Sequence, residues 1–170
     1  MKWERYFPAG FGWKREVRFF LFGLISSAVY FLLHFSVLYG NDYYVLFERH
    51  SLPRRVLREG AMMEDFHLQL EGGEVLFAVL AAMMLLAAGY HLLYHFQGSK
   101  SIYLMRRLPD RGDLPRRCLA FPLFGLAIIL LTMLGLTAAC YIWYMVKTPA
   151  VCLRPGQLQK LMAALFGGAK

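Results

Sequence analysis

Charged residues are scarce in this chain, and three long stretches have none. Only 18% of the 170 residues are Asp, Glu, Lys or Arg, whereas 58% are hydrophobic and 16% aromatic. The runs 19–39, 75–96 and 119–146 contain no carboxylate, lysine or arginine. This absence removes the usual signs of a proton relay, an ion pathway or a membrane-embedded protease within these runs. We therefore predict that the chain is not an enzyme.

Cysteines and clustered metal ligands are also few. The three cysteines, Cys118, Cys140 and Cys152, are scattered, and no two have metal-ligand spacing. A Cys140–Cys152 disulfide is one interpretation, and small buried thiols are the commoner one. His91 and His95 are four residues apart on one helical face, but no third ligand lies at matching depth, which favours interfacial histidines over a metal or haem site. We expect no cofactor.

A phosphate-binding loop is missing as well. The stretch Gly98-Ser-Lys-Ser is similar to the end of such a loop, but it lacks the required upstream glycine. It also follows an apolar helix, where the loop of an ATPase follows a strand. The sequence therefore predicts that the chain does not itself hydrolyse ATP.

The three uncharged runs predict transmembrane helices. At about 1.5 Å per residue, each is long enough to cross a hydrocarbon layer of about 30 Å. A chain of this length cannot hide so much apolar surface in one soluble core. We predict an all-α integral membrane protein with three transmembrane helices in a single membrane domain, 1–170. The first run is too long and too aromatic for a cleaved signal peptide, so we expect the mature protein to keep it.

Four other segments flank and connect these helices. They are an interfacial elbow with basic and aromatic residues (1–18), an external loop (40–74), a cytoplasmic loop (97–117) and an amphipathic tail (147–170). Within the external loop, the pattern predicts a helix from about Pro53 to Leu70.

The distribution of Lys and Arg predicts the orientation. Five cations precede the first span and six lie in 97–117, against four in 40–74 and four in the tail. More positive charge on the cytoplasmic side predicts a cytoplasmic N-terminus in the cell membrane. The formal net charge is +8, but the cations flank the spans, which favours anionic lipids over nucleic acid as the partner.

Small residues recur at helical spacing in every span. The pairs, one in each span, are Gly23 with Ser27, Ala78 with Ala82, and Gly135 with Ala139. Such pairs allow two helix backbones to approach closely, and they predict packing against further membrane subunits. The other interpretation is the ordinary composition of alanine-rich spans.

The basic segment between the second and third spans has the pattern of a short docking helix. Apolar residues form one face, a proline ends the turn of helix, and arginines supply a rim that attracts an acidic partner. The predicted docking residues are Ile102, Tyr103, Leu104, Met105, Arg106, Arg107, Leu108, Pro109 and Arg111. The alternative is a basic loop that lies flat on anionic lipid.

At this segment the sequence resembles the permease subunits of ABC-2-type transporters. The stretch reads Phe96-Gln-Gly-Ser-Lys-Ser-Ile-Tyr-Leu-Met-Arg-Arg-Leu-Pro-Asp-Arg-Gly-Asp-Leu. The family has a similar order of an aromatic residue, polar residues, a serine, leucines, a proline and an arginine. The resemblance implies that this segment is a coupling helix that docks on a separate ATP-binding cassette ATPase, and that the chain is a non-catalytic subunit reduced to three spans. The alternative function is a small membrane scaffold or accessory protein.

Overall fold

The chain is helical throughout most of the part that the structure describes. The computed structural model describes residues 13–47, 57–97 and 113–166. The α-helices in these ranges are α1 (Trp13–Val45), α2 (Phe66–Leu70), α3 (Val75–Gln97), α4 (Asp113–Lys147) and α5 (Gln157–Phe166), with a 3-10 turn at Ala150–Cys152. No strand occurs in these ranges, so the prediction of an all-helical chain is confirmed for them.

Three of these helices are long and apolar enough to cross a membrane. The stretches that qualify are Lys14–Val45 in α1, Val75–Leu93 in α3 and Cys118–Lys147 in α4. Fewer than a third of the residues in the most apolar window of each are buried within the protein. Large apolar side chains such as Phe22, Leu86 and Phe124 are each 73% exposed, which is expected of surfaces that face lipid.

The described residues group into two compact units. The first combines residues of Met1–Ser27 with residues of Leu76–Met133. Its core is built on close approach at two glycines. A Cβ on Gly23 would lie 2.7 Å from Leu80 Cδ1, and one on Gly125 would lie 2.9 Å from Met84 Sδ. These distances are shorter than normal atomic contacts, so a Cβ at either position would displace the end of a flexible side chain.

The second unit combines Ala28–Val75 with Leu134–Lys170. Its core is a set of five aromatic rings, Phe35, Tyr39, Phe66, Tyr141 and Tyr144. The Phe66 ring lies at its centre, with ring centroids 6.0 Å from Phe35, 5.2 Å from Tyr141 and 5.5 Å from Tyr144. Two of these three contacts are edge-to-face, a favourable arrangement for aromatic pairs.

The loop before α2 differs from the sequence-based expectation. Instead of a helix from about Pro53 to Leu70, the described part is non-helical up to Asp65. Gly60 adopts a positive φ of 75°, which turns the chain. The Arg58 N–H donates to the Leu46 carbonyl at 2.9 Å, and this bond ties the turn to the end of α1. The hydrogen bond from Arg58 and the turn at Gly60 thus prevent the helix that the sequence pattern predicts. Residues 53–56 lie outside the described ranges.

Candidate functional site

The predicted docking segment lies outside the described residues. All nine docking residues fall within 102–111, between the end of α3 at Gln97 and the start of α4 at Asp113. Residues 1–12 of the predicted elbow also lie outside the described ranges, whereas 13–18 form the beginning of α1. The docking role of these residues stays a prediction.

The small-residue pairs differ in what they contact. Gly23 lies against Leu80 of α3, and the buried Ser27 hydroxyl donates to the Gly23 carbonyl at 2.8 Å, so this pair packs within the chain. The other four residues, Ala78, Ala82, Gly135 and Ala139, are exposed. Among the described residues, a Cβ on Gly135 would meet no atom within 4 Å. The exposed pairs remain available to lipid or to another membrane chain.

A buried polar contact joins three helices in the first unit. The side chain of His91, on α3, is completely buried. Its Nε2 lies 3.1 Å from Oε1 of Glu16 on α1, and its Nδ1 lies 3.3 Å from the carbonyl oxygen of Cys118 on α4. The Cys118 thiol in turn donates weakly to the His91 carbonyl at 3.9 Å. We call Glu16, His91 and Cys118 the His91 contact.

A proline makes the Cys118 carbonyl available to His91. In an α-helix the carbonyl of residue 118 normally accepts from the N–H of residue 122. Pro122 lies inside α4 and has no N–H, so this oxygen lacks its usual donor. The His91 ring fills that position. The expectation that His91 is an interfacial residue did not include this contact, although a proline four residues after Cys118 was a visible signal.

A second polar cluster holds α5 against α2 in the second unit. The Asp65 carboxylate, just before α2, accepts from Lys160 Nζ at 2.9 Å on both oxygens and from Gln157 Nε2 at 3.0 Å. The Arg154 guanidinium is 3.7 Å away. Gln157 Oε1 also accepts from the Phe66 N–H at 3.0 Å, one of the first N–H groups of α2, which have no partner inside the helix. We call Asp65, Arg154, Gln157 and Lys160 the Asp65 cluster.

The predicted amphipathic tail therefore contains a helix that packs on the protein. The buried residues Gln157 and Leu161 lie on the face of α5 that meets α2. Leu158 and Met162 are exposed on the other face. An interfacial position for this outer face is consistent with the pattern, and it stays a prediction.

The Asp65 cluster is expected to make the stability of the fold depend on pH. The hydrogen bond from Lys160 is the main cause that lowers the pKa of Asp65, and burial opposes it. A lowered folded-state pKa adds stability above the unfolded value of about 3.9, and this stability disappears as the pH falls through the folded value. We expect Asp65→Asn to lose about 1–2 kcal/mol at pH 7, and this loss should shrink as the pH falls below the unfolded value of about 3.9.

The measurement is the unfolding midpoint in detergent micelles from pH 7 to pH 3, for the wild type and Asp65→Asn. Glu64→Gln removes the neighbouring exposed carboxylate and serves as the matched control. A gap between wild type and Asp65→Asn that does not narrow as the pH falls below the unfolded value of about 3.9 would contradict the assignment.

The described residues also include a cavity with charged walls and three cysteines. An open cavity of about 430 Å³ in the second unit is lined by acidic and basic groups together, Asp42, Glu59, Glu64, Arg58 and Arg154. Asp42 accepts from Gln69 at 3.1 Å and Arg154 belongs to the Asp65 cluster, so both have structural contacts.

The cysteines are free and buried, so the Cys140–Cys152 disulfide is not formed. Within the described ranges, no group of three His, Cys, Asp or Glu residues is arranged to hold a metal ion.

Comparisons of the chain with protein-family models, with curated proteins and with solved structures give no match.

Proposed function

We propose that this chain is a non-catalytic membrane subunit of an ABC-type transporter, in which residues 102–111 dock on a separate ATPase. The contact between His91 of α3 and Cys118 of α4 supports this proposal most directly. His91 lies near the end of α3 and Cys118 near the start of α4, so the two helices that flank the docking segment are joined. A push on this segment would therefore act on both helices together, as coupling requires.

The same contact supports the proposed orientation. Because Glu16, His91 and Cys118 meet, the beginning of α1, the end of α3 and the beginning of α4 lie at one end of the first unit. The two most basic segments, 1–18 and 97–117, include or adjoin in sequence the residues at that end. Positive charge collects on the cytoplasmic side, so we place this end of the protein in the cytosol, against anionic lipid of the cell membrane.

The test replaces two apolar docking residues with charges, in the variant Leu104→Asp/Leu108→Asp. We expect at least a tenfold loss of ATPase subunit recovered with the chain from native membranes, a change of about 1.4 kcal/mol in binding. The matched control is Val151→Asp/Leu158→Asp, which places the same two charges at exposed positions beyond α4. Recovery of no nucleotide-binding subunit with the wild-type chain would contradict the proposal.

A membrane scaffold is the second candidate, and the exposed pairs Ala78 with Ala82 and Gly135 with Ala139 favour it. These surfaces can bring other membrane chains close without any coupling to an ATPase. The docking variant separates the two functions. Loss of the ATPase with membrane companions retained supports the transporter subunit, whereas loss of the membrane companions supports the scaffold.

A further inference from the structure

We propose that Glu16 and His91 form a proton-binding site that fastens α1 to α3, and that the contact opens when the shared proton leaves. The site is at the His91 contact in the first unit. It lies outside the docking segment and does not depend on an ATPase partner. The ligand is a single proton. The evidence for the site is the hydrogen-bonding partner of each His91 ring nitrogen.

The first step concerns His91 Nδ1. Its partner is the Cys118 carbonyl oxygen at 3.3 Å, which can only accept a hydrogen bond. Nδ1 must therefore carry a hydrogen. Pro122 maintains this protonation of Nδ1, because position 122 has no N–H that could donate to the Cys118 carbonyl oxygen instead. The neutral ring is thus held in the tautomer with Nδ1 protonated and a lone pair on Nε2.

The second step concerns Nε2, which faces Glu16 Oε1 at 3.1 Å. A lone pair on Nε2 cannot bond to a carboxylate oxygen, because both atoms are acceptors. One proton between them resolves this conflict, either as imidazolium with carboxylate or as imidazole with carboxyl. When that proton leaves, a negative carboxylate faces a lone pair and the attraction between α1 and α3 is lost.

Both side chains of the pair are largely buried, so loss of the shared proton is energetically costly. The His91 side chain is completely buried, and the Glu16 side chain is only 24% exposed. Glu16 Oε2 is buried, and the described residues give it no hydrogen-bond donor. A buried carboxylate that has lost its partner is costly, so Glu16 is expected to move toward water and take the first turns of α1 with it.

Other titratable groups near the site come from all three helices. The Cys118 thiol of α4 lies beside the His91 carbonyl, and the Tyr90 ring of α3 has its centroid 6.4 Å from that of His91. The charged side chains of the same part of α1 are exposed, namely Lys14, Arg15 and Arg18. The Glu16 carboxylate oxygen Oε1 lies 3.1 Å from Nε2 of the His91 ring.

Glu16→Gln tests the proposal directly. The glutamine amide donates an N–H to the Nε2 lone pair and so replaces the shared proton with one that does not leave. The variant is expected to keep the contact at every pH. Glu74→Gln removes an exposed carboxylate at the start of α3 and is the matched control.

The experiment uses the full chain in phosphatidylcholine vesicles, with nitrogen-15 in the histidine rings. The His91 signals are those that a His91→Gln spectrum lacks. In the wild type and Glu74→Gln, we expect the Nε2 signal to change in one step as the pH rises, whichever of the two groups holds the shared proton, with Nδ1 protonated throughout. In Glu16→Gln this step is expected to be absent from the pH range in which the wild type shows it. A His91 that titrates identically in Glu16→Gln and the wild type overturns the proposal.

Hydrogen exchange at the amides of α1 reports the opening. At alkaline pH the first turns of α1 should exchange faster in the wild type than in Glu16→Gln, and at acid pH the two should agree. Equal exchange at both pH values overturns the opening step.

Pro122→Ala provides an independent test that does not change Glu16. It restores the N–H at position 122, so the Cys118 carbonyl regains its helical donor and His91 Nδ1 loses its acceptor. The ring is then expected to carry its hydrogen on Nε2 and to donate it to Glu16. A neutral His91 that keeps its hydrogen on Nδ1 in this variant overturns the proposal.

Discussion

Replacing Phe66 with alanine is expected to lower the free energy of unfolding by about 3–5 kcal/mol. The Phe66 ring is completely buried and contacts the rings of Phe35, Tyr141 and Tyr144. Alanine would leave a cavity at the centre of this aromatic core, and the edge-to-face contacts would be lost with the ring. The short helix α2 would then lose its main apolar anchor in the second unit.

The measurement is unfolding by sodium dodecyl sulfate in mixed micelles, followed by near-ultraviolet circular dichroism of the aromatic core. Leu68→Ala is the matched control, because Leu68 lies on the same helix and is 40% exposed. We expect this control to lose about 1 kcal/mol or less. Equal losses in Phe66→Ala and Leu68→Ala would show that α2 does not anchor the core.

The long helices could be predicted from the sequence because one local signal identifies them. A run without charge and of sufficient length indicates a spanning helix, whichever residues it contacts. The helix ends were less predictable. The helix α1 continues from Trp13 to Val45, well beyond the run 19–39. Near its end, Asp42 is a poor residue for a membrane interior, but its carboxylate accepts from Gln69, a contact that no local pattern shows.

The two polar clusters could not be found in the same way, because their members are far apart in sequence. Asp65 bonds to residues 92 and 95 positions later, and Glu16 meets a ring 75 positions later. Helical periodicity reports only neighbours within a few turns. The small-residue pairs illustrate the same limit. Their spacing is alike, but only the tertiary packing shows that Gly23 lies against Leu80, whereas a Cβ on Gly135 would have no atom of the described residues within 4 Å.

In each cluster one polar side chain, which we call a hub, makes hydrogen bonds to several chain segments and holds them in one arrangement. Gln157 joins the first N–H of α2, the Asp65 carboxylate and the Arg154 carbonyl through a single amide. His91 joins α1, α3 and α4 through a single ring. Apolar surfaces slide past one another at little cost, whereas a hydrogen bond has a preferred distance and direction. The hubs therefore fix the register of the helices that they join.

Gln157→Glu is expected to cause the second large loss of stability, about 2–4 kcal/mol at pH 7. The change preserves the shape of the side chain and the oxygen that accepts from the Phe66 N–H. It replaces the Nε2 donor with an oxygen that faces the Asp65 carboxylate at a distance of about 3.0 Å. Lys160 and Arg154 offset part of this repulsion, but each is 40% exposed and weakened by solvent.

The pH dependence of this variant distinguishes charge repulsion from a packing defect. Two carboxylates in close contact share a proton more readily than isolated ones, so one of them should hold a proton to higher pH than in the unfolded chain. The deficit should therefore be largest at pH 7 and shrink as the pH falls and the new carboxyl regains a donor. Unfolding midpoints in micelles at pH 7 and pH 4 measure this change. Gln159→Glu, at an exposed position of the same helix, should show no such recovery. If Gln157→Glu matched this control at pH 7, Gln157 would not be the donor that holds α5 to Asp65.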